Sequence, residues 1–189
     1  MQELEKIIKD SGDETSTHCE RVAQYVQEFL SVDKCDYTDD EIKYIITGAY
    51  LHDIGKSAID KKILYKPSGI TEEELQILHR HSAYGYQILT EHKHLFENDT
   101  EYEICRNIAL MHHRRVDNTG YPILQECELP YYIQVVSIID VYDALTSKRC
   151  YHNAVSRSDA LKIINSGAGG LFNPELIEKL QKYITKVMR

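Results

Sequence analysis

At 189 residues, with 42% hydrophobic side chains, the chain is long enough and apolar enough for one domain, 1–189, around a proper core, which excludes a disordered chain. A net charge of -8 argues against a non-specific binder of DNA, RNA or an anionic membrane surface. The opening MQELEKIIKD carries no signal pattern. The five cysteines are scattered without a CxxC, and the longest apolar stretch, 131–141, is broken by Gln134 and Asp140. A cytoplasmic protein with reduced thiols and no membrane span is therefore expected.

In chain order, His18 is followed by Val22, Tyr25, Val26 and Phe29, whose spacing of three and four predicts one helix face. Thr38 and Glu41 form a capping box ahead of Ile42, Ile45, Ile46 and Ala49. A second box, Thr71 with Glu74, opens a helix through Leu75, Leu78, Tyr86 and Leu89. Another helix is predicted over 101–111. Pro130 stands near the start of the next, which runs through Val135, Ile138 and Ile139 towards Thr146. Ser156 caps a short helix that stops at Gly167, Gly169 and Gly170, and Asn173-Pro174 opens a final one through Leu176, Leu180 and Ile184. No alternating strand is found, so the fold class is all-α. The loops 53–69, 114–129 and 147–155 each follow a candidate ligand.

Those candidates are His18, the pair His52-Asp53, His81, the doublet His112-His113, and Asp140. Imidazole and carboxylate are the mixed ligands of zinc, manganese and iron centres. Neighbouring helical residues diverge by about 100°, so both doublets converge best at helix ends. Taken alone, His52-Asp53 also fits a buried histidine beside a capping aspartate, and His112-His113 a solvated helix end. Asp140 lies among Val135, Val136, Ile138, Ile139 and Val141, where a carboxylate needs a partner. Glu14 shares a helix face with His18 but also completes a capping box from Ser11, and both readings stand. His79, His92, His94 and His152 read as ordinary polar histidines. His79 is set about 200° from His81 around a continuous helix. Two divalent ions outweigh the charge of Glu14, Asp53 and Asp140 and leave a positive pocket, which suits an anionic phosphoester.

The motifs resemble a known family. His52-Asp53-Ile54-Gly55-Lys56 is similar to the HDIGK signature of the HD metal-dependent phosphohydrolases. His112-His113 with Asp117-Asn118-Thr119-Gly120-Tyr121-Pro122 resembles the HHExxDGxGYP block of the HD-GYP subfamily. Asp140 to Arg149 resembles its DxxDALTxxR segment. Lys66-Pro67, Gly69-Ile70-Thr71, His81 and Gly85 resemble its KPGxLT and HxxxG stretches. The resemblance implies an all-α HD-domain helical bundle with the metal site at helix ends. It implies two or three divalent ions, iron or manganese first, with zinc, nickel or magnesium as alternatives. The ligands it implies are His18, His52, Asp53, His81, His112, His113 and Asp140, with Glu14 at the position of a third-metal carboxylate. Asp53 and Lys56 are implied as catalytic. Lys56, Asp143, Arg149, Gly120, Tyr121 and Pro122 are implied at the substrate.

The implied activity is metal-dependent hydrolysis of a cyclic dinucleotide, cyclic di-GMP first. The alternatives are another nucleotide or phosphoester, or a binding module with little turnover. No nucleic-acid polymer or membrane is expected as a partner. The chain departs from the pattern at Arg114 (for Glu), Asn118 (for Gly), Gln134 (for Arg) and Asn173 (for Asp), and lacks the usual glycines over 123–128. None of these removes an implied ligand.

Overall fold

The computed structural model describes residues 1–33, 35–126, 128–148 and 154–187. Among them no strand forms, and the all-α expectation holds. The helices are α1 (Gln2–Ser11), α2 (Asp13–Val32), α3 (Asp39–Leu51), α4 (Lys61–Leu64), α5 (Glu72–His79), α6 (His81–Glu91), α7 (Asp99–Met111), α8 (Tyr131–Thr146), α9 (Arg157–Ser166) and α10 (Pro174–Val187). Short 3-10 turns occupy Ile54–Ala58 and Lys93–Leu95. No helix among the described residues is long and apolar enough to cross a membrane.

Capping chemistry sets most boundaries. Both predicted capping boxes are complete, Thr38 with Glu41 and Thr71 with Glu74. Asn98 and Ser156 cap α7 and α9 through their side chains, and the Asn173 side chain accepts from the Glu175 amide at the start of α10.

One element is added to the sequence reading and two expectations are corrected. Residues 2–11, read only for the lack of a signal, form α1, which buries Leu4 and Ile8. Ser11 does not cap α2. It belongs to α1, and its hydroxyl donates to the Ile7 carbonyl four residues back, so Gly12 takes the N-cap position. The helix expected from Thr71 through Leu89 is interrupted at Arg80, which makes His81 the first residue of α6.

Two apolar clusters hold the bundle. The larger packs Val22, Val26 and Phe29 of α2 against Ile45, Ile108, Ile138 and Leu180. The smaller ties Leu4 and Ile8 of α1 to Leu51, Ile54, Leu89 and Cys105. The long helix α2 contributes to both, through Val22 and Cys19, and His18 lies beside the latter. Asp140 and Asp143 come from α8, which packs along α2.

Candidate metal centre

The chain brings its candidate ligands together by ending helices at them. α3 stops at Leu51, His52 follows as its C-cap, and Asp53 leaves the helical conformation to start the 3-10 turn. Gly55 allows that turn to press against the start of α6. A Cβ there would lie 1.9 Å from the His81 carbonyl oxygen and 2.4 Å from the Gly85 amide. α7 likewise ends at Met111, with His112 as its C-cap.

Ring orientation follows from hydrogen bonding. Nδ1 of His52 donates to the Ala49 carbonyl at 2.7 Å, and Nδ1 of His81 to the Leu78 carbonyl at 2.7 Å. Nδ1 of His112 is shared between the Ile108 and Ala109 carbonyls at 3.0 and 3.1 Å. A carbonyl can only accept, so the proton sits on Nδ1 and each Nε2 turns its lone pair inward. His18 is held through Nδ1 by Asp143 Oδ2 at 2.6 Å.

Asp53 stands between two groups. Its Oδ2 lies 3.3 Å from His52 Nε2 and 3.6 Å from His18 Nε2. Its Oδ1 lies 3.3 Å from His81 Nε2 and 3.9 Å from His112 Nε2. Asp140 Oδ1 joins the first side, 3.0 Å from His18 Nε2. The ligand atoms of His18, His52 and Asp140 fall within 4.8 Å of one another, as do those of Asp53, His81, His112 and His113. Cys19 makes a third, overlapping group with His52 and Asp53.

The electrostatics of the cluster are those of a cation site. Burial pushes His81 down to about 4 and His112 to about 3, and lowers His113 as well, so all three are neutral bases at pH 7. Burial alone would also lower His18, but the hydrogen bonds its ring donates to Asp140 and Asp143 outweigh that and raise the pKa. Burial would raise Asp53 and Asp140. The charge of Lys56 on the first, and the hydrogen bond of His18 to the second, instead help hold both well below the usual carboxylate range. His52 Nε2 and Asp53 Oδ1 are buried and find no hydrogen-bond partner among the described residues. Orphaned buried polar atoms are costly. A nitrogen and an oxygen left unsatisfied inside a His/Asp cluster fit divalent ions.

The remaining site residues divide. Lys56 reaches Asp53 Oδ2 at 2.5 Å and lines a cleft with Glu14, His18, Arg21, Tyr65 and Lys148. Glu14 is thus on the cleft wall, outside the two ligand groups. Asp143, expected near the substrate, is fully buried behind His18. Arg21 grips it with two hydrogen bonds of 2.7 and 2.8 Å, and Ser147 adds a third. Its oxygens are used up orienting His18 and cannot meet a phosphate. Arg149 lies outside the described residues. Gly120, Tyr121 and Pro122 border a groove over α5 and α6, and Tyr121 packs on His113 at 4.5 Å between ring centroids.

Two contributors escaped sequence reading. Arg21 lies one helical turn beyond His18, a spacing that carries the signal. His79 stacks on Tyr121 at 3.9 Å, because the interruption at Arg80 separates it from His81 and the loop folds back over both. The departures Arg114 and Asn118 meet each other. Asn118 adopts φ 63, a left-handed conformation that asparagine tolerates, and its Oδ1 accepts from Arg114 Nη2 at 3.0 Å.

The model of the HD domain family matches residues 2–176. A cyclic di-GMP phosphodiesterase of Thermotoga maritima is 37% identical over 183 residues, covering 93% of this chain and 47% of the relative. The cyclic di-GMP phosphodiesterase response regulator RpfG of Xanthomonas campestris is 32% identical, covering 95% and 46%. The chain thus spans about half the length of these curated relatives. Among solved structures, the HD domain of the L. monocytogenes phosphodiesterase PgpH superposes with a TM-score of 0.67 at 17% identity, covering 98% of this chain and 96% of that one. The bundle, the cluster at its helix ends and the family match agree: the chain belongs to the HD domain family.

Proposed function

We propose that this domain is a metal-dependent phosphodiesterase that hydrolyses a cyclic dinucleotide, cyclic di-GMP first among them. The observation that carries the reading is Asp53, whose two oxygens face two different histidine groups. That arrangement suits one divalent ion on each side of a bridging carboxylate. His18, His52 and Asp140 would hold one ion, and His81, His112 and His113 the other. Iron or manganese suits this mixed nitrogen and oxygen set. Glu14, on the cleft wall, is the available carboxylate for a third. Similarity to relatives named as cyclic di-GMP phosphodiesterases supports the substrate class.

Bound divalent ions would polarise a phosphoryl oxygen and make water a usable nucleophile near neutral pH. The chain's own residues prepare that chemistry. Asp143, locked by Arg21, keeps the His18 ring turned with Nε2 towards Asp53 and Asp140. The carbonyls of Ala49, Leu78, Ile108 and Ala109 do the same for His52, His81 and His112. Lys56 and Lys148 bring positive charge to the cleft beside His18, where a phosphodiester would lie.

The test is turnover of cyclic di-GMP by the domain, loaded with manganese or ferrous iron under reducing conditions. A panel of other cyclic dinucleotides and simple phosphodiesters runs beside it. Cleavage lost in Asp53→Ala supports the reading. Binding of the dinucleotide without cleavage by metal-loaded protein would replace it with a signalling module that reads the ligand.

A further inference from the structure

Four of the five clustered histidines have Nδ1 fixed by a hydrogen bond: His18 by Asp143, and His52, His81 and His112 by backbone carbonyls. His113 differs. Among the described residues no hydrogen bond holds its ring, and its orientation rests on packing alone. His112 lies at 4.0 Å, Tyr121 at 4.5 Å and His81 at 5.0 Å between centroids.

Tyr121 is itself held from its other side. His79 stacks on it at 3.9 Å with the two planes only 17° apart, and His113 meets it at 30°. Two rings so close to one face would overlap each other. No ring contact between His79 and His113 is seen among the described residues, so Tyr121 is intercalated between them. The loop is pinned to bring it there. Gly120, at φ 84, lies so close to His113 that a Cβ would stand 2.1 Å from its carbonyl oxygen. The buried Arg114 secures the loop through Asn118 and the Gln125 carbonyl.

We infer that His79 is a positioning residue: it stacks on Tyr121 and clamps that ring against His113, and so orients the clustered histidine that lacks a hydrogen-bonded anchor. This rests on the reading of the cluster as a two-metal centre. His79 touches no ligand position and acts through the ring of Tyr121, so an aromatic ring without nitrogen can replace it. Groups that orient a ligand from behind change metal affinity by roughly ten- to a hundred-fold, and a stack belongs at the lower end of that range.

The experiment is equilibrium binding of Mn(II) to metal-stripped protein, fitted to two sites, for wild type, His79→Ala and His79→Phe. Thermal melting of each metal-free variant establishes that it is folded. The expected result is two sites in wild type, one of them weakened roughly tenfold in His79→Ala with the other unchanged, and both restored in His79→Phe. Unchanged affinities in His79→Ala overturn the inference. So does equal weakening of both sites, or failure of the phenylalanine to restore, which would mean the imidazole acts by its nitrogens. Wild type that takes up fewer than two ions instead defeats the underlying metal reading, and that outcome is visible before any variant is compared.

Discussion

On the His18 side of Asp53 charged groups hold His18, while His52 beside it is anchored by the Ala49 carbonyl. His18 lies between Asp140 and Asp143, and Arg21 closes the row behind it. On the other side the bases are neutral. His81 and His112 are anchored by carbonyls, and His113 by the rings of Tyr121 and His112. Burial acts on both sides alike, yet His18 moves up and His81, His112 and His113 move down. The carboxylates make the difference. A cation on the first side would compete with a proton that the carboxylates make His18 hold more tightly, whereas His81 and His112 offer lone pairs at neutral pH. Asp53 thus stands between a histidine whose basicity its carboxylate neighbours raise and a group whose imidazoles burial keeps neutral.

The largest expected effect comes from removing what the halves share. Asp53→Ala should lose metal on both sides and reduce turnover to background, read by elemental analysis beside the hydrolysis assay. Retention of full metal would make the halves independent.

Lys56→Ala sharpens the comparison differently. A charged lysine cannot ligate a metal, so metal content should survive. Loss of a charge-assisted contact made in the transition state costs on the order of 2–4 kcal/mol, a fall in kcat/KM of roughly thirty- to a thousand-fold.

Asp143→Asn strikes the ionic half alone. It should weaken one ion roughly ten- to a hundred-fold and leave its neighbour, measured by Mn(II) binding.

A pH series separates the halves by sign. His81 and His112 titrate near 4 and 3 when folded and near 6.5 when unfolded. The unfolded chain therefore binds more protons below about pH 6.5, and the metal-free protein should lose stability as the pH falls from there towards 4. His18 has the opposite sign, since its raised pKa gives stability that is lost as the pH rises. Three depressed histidines, His113 among them, against one raised predict a net loss on acidification, read as a falling denaturant midpoint between pH 7 and pH 5.

The smallest effect is assigned to Glu14. It lies outside both groups, so Glu14→Gln should keep two ions per chain. Loss of a third ion, where wild type holds three, would move Glu14 from the cleft wall into the ligand set.

Much of this was legible in the sequence because it is local. Capping boxes, the Asn173-Pro174 start and the helix-ending doublets are written in neighbouring residues, and they placed α3, α7, α10 and the start of α5. What escaped depends on distant parts of the chain meeting. Asp143 was taken for a substrate group because its neighbours match a motif. Only the packing of α8 on α2 turns it towards His18 and Arg21. His79 was set aside by an angle that assumes an unbroken helix, and the break at Arg80 together with the returning 114–126 loop gave it a partner. Glu14 was ambiguous because Ser11 looked like a cap, and α1 removes the capping reading by claiming Ser11.

The most direct measurement is anomalous scattering from crystals of the domain grown with Mn(II). Two peaks about 4 Å apart are expected, each touching a different oxygen of Asp53, one also reached by His18, His52 and Asp140 and the other by His81, His112 and His113. A single peak, or a pair that Asp53 does not bridge, would contradict the two-sided centre on which the proposed hydrolysis depends.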